Sequence, residues 1–519
     1  MYKPFIVILM LLALAAASSA LSVNTYFFNL NSFSNVILGH EWGVALSPTS
    51  VSCLGMLGFC GLLSLLYSNH YFGGKASGLN EVIVLFLSTM SLIILTSDFW
   101  STLVFWEYLG VVSYLLILFY ASFDTLHAGA VTLISSRGGD VGLFLLTAAM
   151  MVGFSMDNWW INLSLLLVVI TKSACFPLST WLLEAMRAPT PVSCLVHSST
   201  LVAAGVVFML NYIHTFQAEV LNVLSLLCLI SIFISAWGAL YFLDLKKIVA
   251  LSTCNNISWC VLYCCFSSPE LCVTQLVVHG IAKCLLFMGI GDVLAGSYSS
   301  QNYGSTLSSG WASNTGWMGL TPIIIGLGGA PFNGVFFTKH LLLSGFENNI
   351  GILLALSFGY GVFLSSAYST RLFILVSSLL TGISNAIVNL FFVGGGFALL
   401  PSLLSYLGSF CTIESSSLSI FSSLGSIVVQ TAGVWNGWSY SFFKEESGTF
   451  GLMCFQDAMV SKAYLVWQTV GKLSISSMLF RWEVTTASCF GGSSLAIGLG
   501  QSGIVTCAIM LLALTISLS

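Results

Sequence analysis

Charge is what this chain has least of. Lys, Arg, Asp and Glu make up 6% of its 519 residues, 14 basic and 18 acidic, where soluble domains carry about 25%. So few charges cannot clothe a water-facing surface, which excludes a water-soluble globule and leaves no room for a large soluble catalytic domain. There is no basic patch to meet nucleic acid, and a formal net charge of −4 says little about a surface that meets lipid or protein. The 15 cysteines are an odd set, lying mostly inside apolar runs (Cys228, Cys254, Cys260, Cys264, Cys265, Cys284). They lack the pattern of a disulfide framework and read as small buried hydrophobes. No cysteine spacing in a loop fits zinc or an iron-sulfur cluster. Gly289-Ile290-Gly291 sits within an apolar run, without the strand-turn-helix context of a nucleotide fingerprint. Redox chemistry is therefore expected elsewhere than in this chain.

What is abundant is apolar surface: 57% hydrophobic residues and a mean hydropathy of +0.98. Apolar runs bounded by polar or Gly/Pro punctuation predict spans near 5–23, 45–67, 81–97, 100–121, 126–154, 160–184, 191–213, 218–242, 247–267, 271–295, 316–345, 350–376, 382–411, 417–437 and 496–518. A bilayer crossing takes roughly 20 apolar residues, so about 15 or 16 transmembrane helices are expected. The runs are too long and too unalternating for a barrel, and backbone groups in lipid must be paired internally. The expected fold class is an all-α polytopic membrane protein. The stretch 1–23, with Lys3 and the small residues 15–20, is read as a first transmembrane helix rather than a secretory signal.

The segment 444–483 differs. Lys444, Glu445, Glu446, Asp457, Lys462, Lys472, Arg481 and Glu483 crowd into it, and Asp457, Ser461, Gln468 and Lys472 share one helical stripe. Met453, Phe455, Met459, Leu465, Val466, Val470 and Leu473 lie off that stripe. An amphipathic helix lying along a membrane or partner surface is expected.

Ionisable residues inside apolar runs are the informative ones, because a charge at mid-bilayer costs at least about 2.5 to 3.5 kcal/mol and persists when paired or functional. Glu107, Arg137, Asp140, Lys172, His279, Lys283 and Lys339 stand out. Glu107 has no cation near it in sequence and calls for a lysine from another helix, or else stays protonated. Lys172 precedes Pro177 by five residues, and proline breaks the helix beside the charge. A second arrangement, Gly328-Gly329-Ala330-Pro331 followed by Lys339, repeats the pairing of a membrane lysine with an interrupted helix. Such interruptions mark ion sites in transporters and point to paired repeats. Gln275, His279 and Lys283, spaced by four, form a polar stripe on one helix face. His197, after Pro189-Thr190-Pro191, extends the set of proton-relaying groups. Arg137 and Asp140, three apart, are read as a structural ion pair. Lys246 and Lys247 follow Asp244 at a helix start.

These motifs resemble a known family. Thr171-Lys172-Ser173-Ala174-Cys175-Phe176-Pro177-Leu178-Ser179-Thr180-Trp181-Leu182, then Pro189-Thr190-Pro191-Val192-Ser193 and His197-Ser198-Ser199-Thr200, are similar to the most characteristic block of the antiporter-like subunits of respiratory complex I. Trp106-Glu107, Arg137-x-x-Asp140, Lys246-Lys247, His279-x-x-x-Lys283 and Pro331-Phe332-x-Gly334 with Lys339 follow in family order over roughly 90–375. The resemblance implies two antiporter-like repeats. It makes Glu107 and Lys172 a coupled pair in one half-channel, His197, His279 and Lys283 a central relay, and Lys339 the terminal site, with Lys247 on the same axis. It further implies a domain plan of N-terminal transmembrane helices (1–80), a proton-translocating core (81–376), additional transmembrane helices (377–437), a lateral amphipathic helix (438–495) and a C-terminal transmembrane helix (496–519).

By the same resemblance this chain binds no cofactor of its own, with NADH, FMN, iron-sulfur clusters and ubiquinone held by other subunits. Its partners are then other membrane-arm subunits, especially the chain 4 and chain 2 paralogues reached through the lateral helix, together with lipid. Its place is the mitochondrial inner membrane. An Mrp-type cation/proton antiporter subunit is the alternative, as is a purely structural subunit whose buried charges only hold helices together. Two departures stand out: Gln275 occupies a position where the family often has histidine, and His340 one where an acidic residue is common.

Overall fold

The computed structural model describes residues 26–29, 43–73, 77–153, 158–266, 268–296, 314–331, 333–346, 352–377, 399–411, 420–441, 462, 465, 468 and 469. The expected spans 5–23 and 496–518 lie outside these residues, as does most of the expected lateral helix. Two compact units divide the chain, 1–453 and 454–519. In the second, the four described residues have helical backbone.

After a two-stranded antiparallel ribbon, β1 (Tyr26–Asn29) and β2 (Gly43–Leu46), every described element is a helix. The first unit runs α1 (Pro48–Tyr71), α2 (Ser77–Leu95), α3 (Phe99–Ile117), α4 (Phe123–Val152), α5 (Trp159–Lys172), α6 (Thr180–Ala185) and α7 (Thr190–Leu195). A single π turn, Val196–Thr200, joins α7 to α8 (Leu201–Asn211). Then come α9 (Ala218–Tyr241), α10 (Leu245–Cys265), α11 (Pro269–Gly296), α12 (Asn314–Gly328), α13 (Phe336–Phe346), α14 (Ile352–Ser377), α15 (Leu400–Cys411) and α16 (Ile420–Ser441). Among the described residues, seven helices are long and apolar enough to cross a membrane. This is a multi-pass membrane protein.

Local chemistry sets the ends. Ser47 and Ser50 make a capping box before α1, with Pro48 in its first turn, and Ser122 with Thr125 does the same for α4. Each box satisfies N–H groups that the first turn leaves without partners. The C-terminus of α9 is closed from a distance: the Arg371 guanidinium on α14 donates to the Ala239 and Phe242 carbonyls at 2.7 and 2.8 Å.

Polarity is arranged for lipid. Val84, Leu85, Val111, Leu115, Phe144, Leu145 and Leu226 are exposed, whereas Lys172, His197, Asn255, Gln275, His279, Lys283 and Lys339 are buried. The helix pair α7–α8 is wholly buried in the bundle and α10 almost so. Close approach brings α8 against the end of α5: a methyl on Gly205 would meet the Ser173 nitrogen at 3.0 Å and the Val169 carbonyl at 3.1 Å. Small residues at such crossings let backbones touch, and this one fixes the helix that carries Lys172.

Candidate functional site

Helix α5 stops at Lys172. Ala174 takes φ 53°, the Cys175 N–H reaches the Ile170 carbonyl at 3.2 Å, and the chain becomes helical again at Thr180, so the break expected at Pro177 is present. The Trp181 indole donates to the freed Thr171 carbonyl at 3.1 Å. Lys172 is fully buried, its ammonium 5.3 Å from the centre of the Trp106 ring, a cation–π distance. It also occupies the C-terminal end of α5, where the helix dipole favours a cation.

Two neighbouring helices bring charge to this lysine. Asp140 and Arg137 come from α4 and Glu107 from α3. Glu107 was expected to take a lysine as partner; it takes Arg137 instead, at 2.5 Å. The same nitrogen, Nη1, stands 3.2 Å from Asp140, since it carries two hydrogens and can face two carboxylates at once. Arg137–Asp140 is thus one side of a Glu107–Arg137–Asp140 cluster rather than an isolated pair. One oxygen of each carboxylate, Oε1 of Glu107 and Oδ1 of Asp140, is buried without a hydrogen-bond partner among the described residues.

His197 sits in the π turn, fully buried, a backbone irregularity that recurs at functional sites. Its ring meets the Ala185 backbone, and neither ring nitrogen makes a well-formed hydrogen bond among the described residues. Lys172 and His197 line one small cavity with Ser113, Thr132, Ser136 and Thr171. Its volume of about 10 Å³ is of the size one water needs. Of the two lysines at the start of α10, Lys246 turns inward, buried, with its ammonium 3.4 Å from the Ala188 carbonyl. Lys247, the one expected on the axis, reaches the surface and pairs with Asp244 at 3.1 Å. One residue along a helix is about 100° of rotation, which here sends the two neighbours to different faces.

On α11, Gln275, His279 and Lys283 are all buried. The Lys283 ammonium donates to the Ser252 hydroxyl and to the Val249 carbonyl, the latter at 3.3 Å. His279 has both nitrogens without a partner among the described residues. The second break follows α12. Gly329 and Gly334 take φ 87° and 53°, and the Gly326 carbonyl accepts from Gly329 and Val335, both at 3.1 Å. Pro331 lies between them. Lys339, in the first turn of α13, donates to Ser365 at 2.9 Å and stands 5.7 Å from the Trp259 ring centre. Here the dipole works against a cation, the reverse of its effect at Lys172.

Two further buried charges meet the same criterion, an ionisable residue within an apolar run. Asp292, in the run that becomes α11, accepts from the Tyr67 hydroxyl at 3.2 Å and faces His70 at 3.8 Å. Arg371, in the run that becomes α14, is the cap on α9.

Residues 96–365 match the sequence family described as NADH:quinone oxidoreductase/Mrp antiporter, transmembrane. NADH-ubiquinone oxidoreductase chain 5 of Mytilus edulis is 35% identical over 324 residues, 59% of this chain and 55% of the relative. The protein of the same name in Caenorhabditis elegans is 32% identical over 299 residues, 56% of this chain and 57% of the relative. The matched region thus spans about half the length of these curated relatives. In fold, the chain is similar to a chain of the Mrp complex from Dietzia sp. DQ12-45-1b, with a TM-score of 0.66 at 19% identity, covering 96% of this chain and 63% of that one.

Proposed function

This chain belongs to the NADH:quinone oxidoreductase/Mrp antiporter transmembrane family, and on that premise we propose that it is a chain 5-type membrane subunit of respiratory complex I. It translocates protons across the mitochondrial inner membrane, coupled to electron transfer from NADH to ubiquinone. The observation that carries this reading is the row of fully buried, chemically competent bases, Lys172, His197, His279, Lys283 and Lys339, inside a bundle whose outer face is apolar. A structural role alone would favour charges in satisfied pairs, yet both ring nitrogens of His279 are without a partner among the described residues.

The roles proposed for these residues are as follows. Asp140 and Glu107, held by Arg137, set the field at Lys172. A shift of Arg137 towards or away from either carboxylate changes whether Lys172 is better off holding a proton or releasing it. The released proton goes to a water in the shared cavity and on to His197, whose imidazole takes it at one nitrogen and gives one from the other. His279 and Lys283 continue the axis, and Lys339 is its terminal site. Lys246 supports the central stretch in place of Lys247. The domain plan expected from the sequence is retained: 1–80, the core 81–376, 377–437, the lateral helix 438–495 and the final span 496–519. NADH, FMN, iron-sulfur clusters and ubiquinone belong to other subunits, and the chain 4 and chain 2 paralogues are the expected neighbours. The relatives named chain 5 support the complex I reading over the Mrp-type alternative, for which the likeness in fold speaks.

The test is Lys172→Met in the intact membrane complex, reading protons moved per electron and the amount of assembled complex. The expected result is loss of this chain's contribution to pumping with assembly retained. Full pumping in the variant would contradict the assignment.

A further inference from the structure

We propose that Gln275, Asn256 and Thr338 form an insulating latch between Lys283 and Lys339, closed to protons while its hydrogen bonds hold and conductive when it opens to water. The inference rests on the proton-path reading above and concerns how that path is regulated.

The latch is a directed row. The Thr338 hydroxyl donates to Gln275 Oε1 at 2.5 Å, Gln275 Nε2 donates to Asn256 Oδ1 at 3.3 Å, and Asn256 Nδ2 donates to the Ser252 carbonyl at 2.9 Å. One end meets a lysine directly, and the other is a lysine's neighbour in sequence. Ser252 accepts from Lys283 through its hydroxyl, and Thr338 precedes Lys339, whose ammonium is tied to Ser365. Proton hopping requires groups that take a proton on one side and give one on the other. Water and hydroxyl do so at one atom and imidazole between two nitrogens whose tautomers lie close in energy; a carboxamide accepts at oxygen and donates at nitrogen, and exchanging those roles makes an imidic acid far above the amide in energy. Passing a proton through it leaves a charged or tautomeric amide, so two amides in series separate the lysines.

The surrounding space is filled in the same chemistry. Tyr368 OH lies 3.5 Å from both Asn255 Oδ1 and Asn256 Nδ2, and Asn255 Nδ2 donates to the Ile232 carbonyl at 3.0 Å. Gln275, Asn255, Asn256 and Tyr368 are all buried. None of the four holds a charge near neutral pH.

The moving part is small. Thr338 has one hydroxyl hydrogen and two acceptors in reach, Gln275 Oε1 at 2.5 Å and the Val335 carbonyl at 2.9 Å. Turning that hydrogen to Val335 frees Gln275 Oε1 without breaking any backbone bond. The freed oxygen can then take a water, and a water bridge conducts where the amide does not.

The experiment uses the assembled complex containing this chain, reconstituted in liposomes, with two readings. One is passive proton leak after an imposed pH step, and the other is protons pumped per electron. Gln275→Ala leaves polar partners around a void that water can enter, and Thr338→Ala removes the donor. Both are expected to raise the passive leak several-fold, while Thr338→Ser, which keeps the hydroxyl, restores the parent value and shows that folding is not the cause. If both alanine variants lower pumping while the leak stays at the parent level, the row is a conductor and the latch is overturned. Lys339→Met separates the two ideas: unchanged pumping in that variant sinks the proton-path reading itself, whereas reduced pumping with no leak in the alanine variants sinks only the latch.

Discussion

A buried charge survives by finding a partner, and at the first break the partner is shared. Arg137 serves Glu107 and Asp140 at once, and Asp140 is the more buried of the two carboxylates. Neutralising Asp140 should therefore disturb Lys172 more than neutralising Glu107. Asp140→Asn is expected to lower the proton-pumping rate by about tenfold, an effect on the order of 1.4 kcal/mol in a barrier, with Glu107→Gln affecting it less. Equal or reversed effects, measured in the same vesicles, would restore Glu107 as the principal partner. The residue list was largely legible because the criterion, an ionisable residue in an apolar run, needs no structure. Pairing was not. Glu107 and Arg137 are thirty residues apart, and nothing in their spacing says that α3 and α4 lie side by side. Nor could the sequence tell Lys246 from Lys247, whose directions depend on where α10 begins its first turn.

At the scale of elements, the two breaks were visible as Pro177 and Pro331 beside apolar runs, whereas the π turn at Val196–Thr200 was not. Its sequence, Val-His-Ser-Ser-Thr, holds neither proline nor glycine, and only packing decides that one extra residue is squeezed into the helix. The second break is held by glycine conformation. At Gly334, φ is 53°, and an added methyl would meet the Gly326 Cα and carbonyl carbon at 2.7 and 2.6 Å. A left-handed backbone costs an L-residue about 1 to 2 kcal/mol before any clash is counted. Gly334→Ala is expected to destabilise the complex by more than about 2 kcal/mol, seen as a lower melting temperature in detergent and less assembled complex. Gly359→Ala is the matched comparison. That glycine lies within α14 with nothing inside 4 Å of the added methyl, so replacing it should be neutral or stabilise by about 0.5 to 1 kcal/mol. A Gly334 variant as stable as the Gly359 variant would mean that the break tolerates other backbone conformations.

For the whole molecule the question is whether the chain works alone. Its outer face is apolar where lipid is expected, yet large exposed side chains cluster on particular helices: Val428, Val434, Trp435 and Trp438 on α16, and Tyr108, Val111 and Leu115 on α3. Tryptophan enrichment belongs at membrane interfaces, while a broad apolar face within the bilayer can meet either lipid or another helix bundle. Energetics cannot separate the two, since lipid tails are as apolar as a partner's leucines and helix association in membranes rests on shape and hydrogen bonds instead. Assembly has to be read directly. Detergent-solubilised inner membranes, run on a blue-native gel with an antibody to this chain and an in-gel NADH dehydrogenase stain, distinguish the possibilities. Comigration with a very large NADH-active band is the outcome expected of a complex I subunit. A small band without NADH activity would move the chain to a free-standing or Mrp-type antiporter, and the buried lysines would then serve exchange driven by an ion gradient rather than by electron transfer.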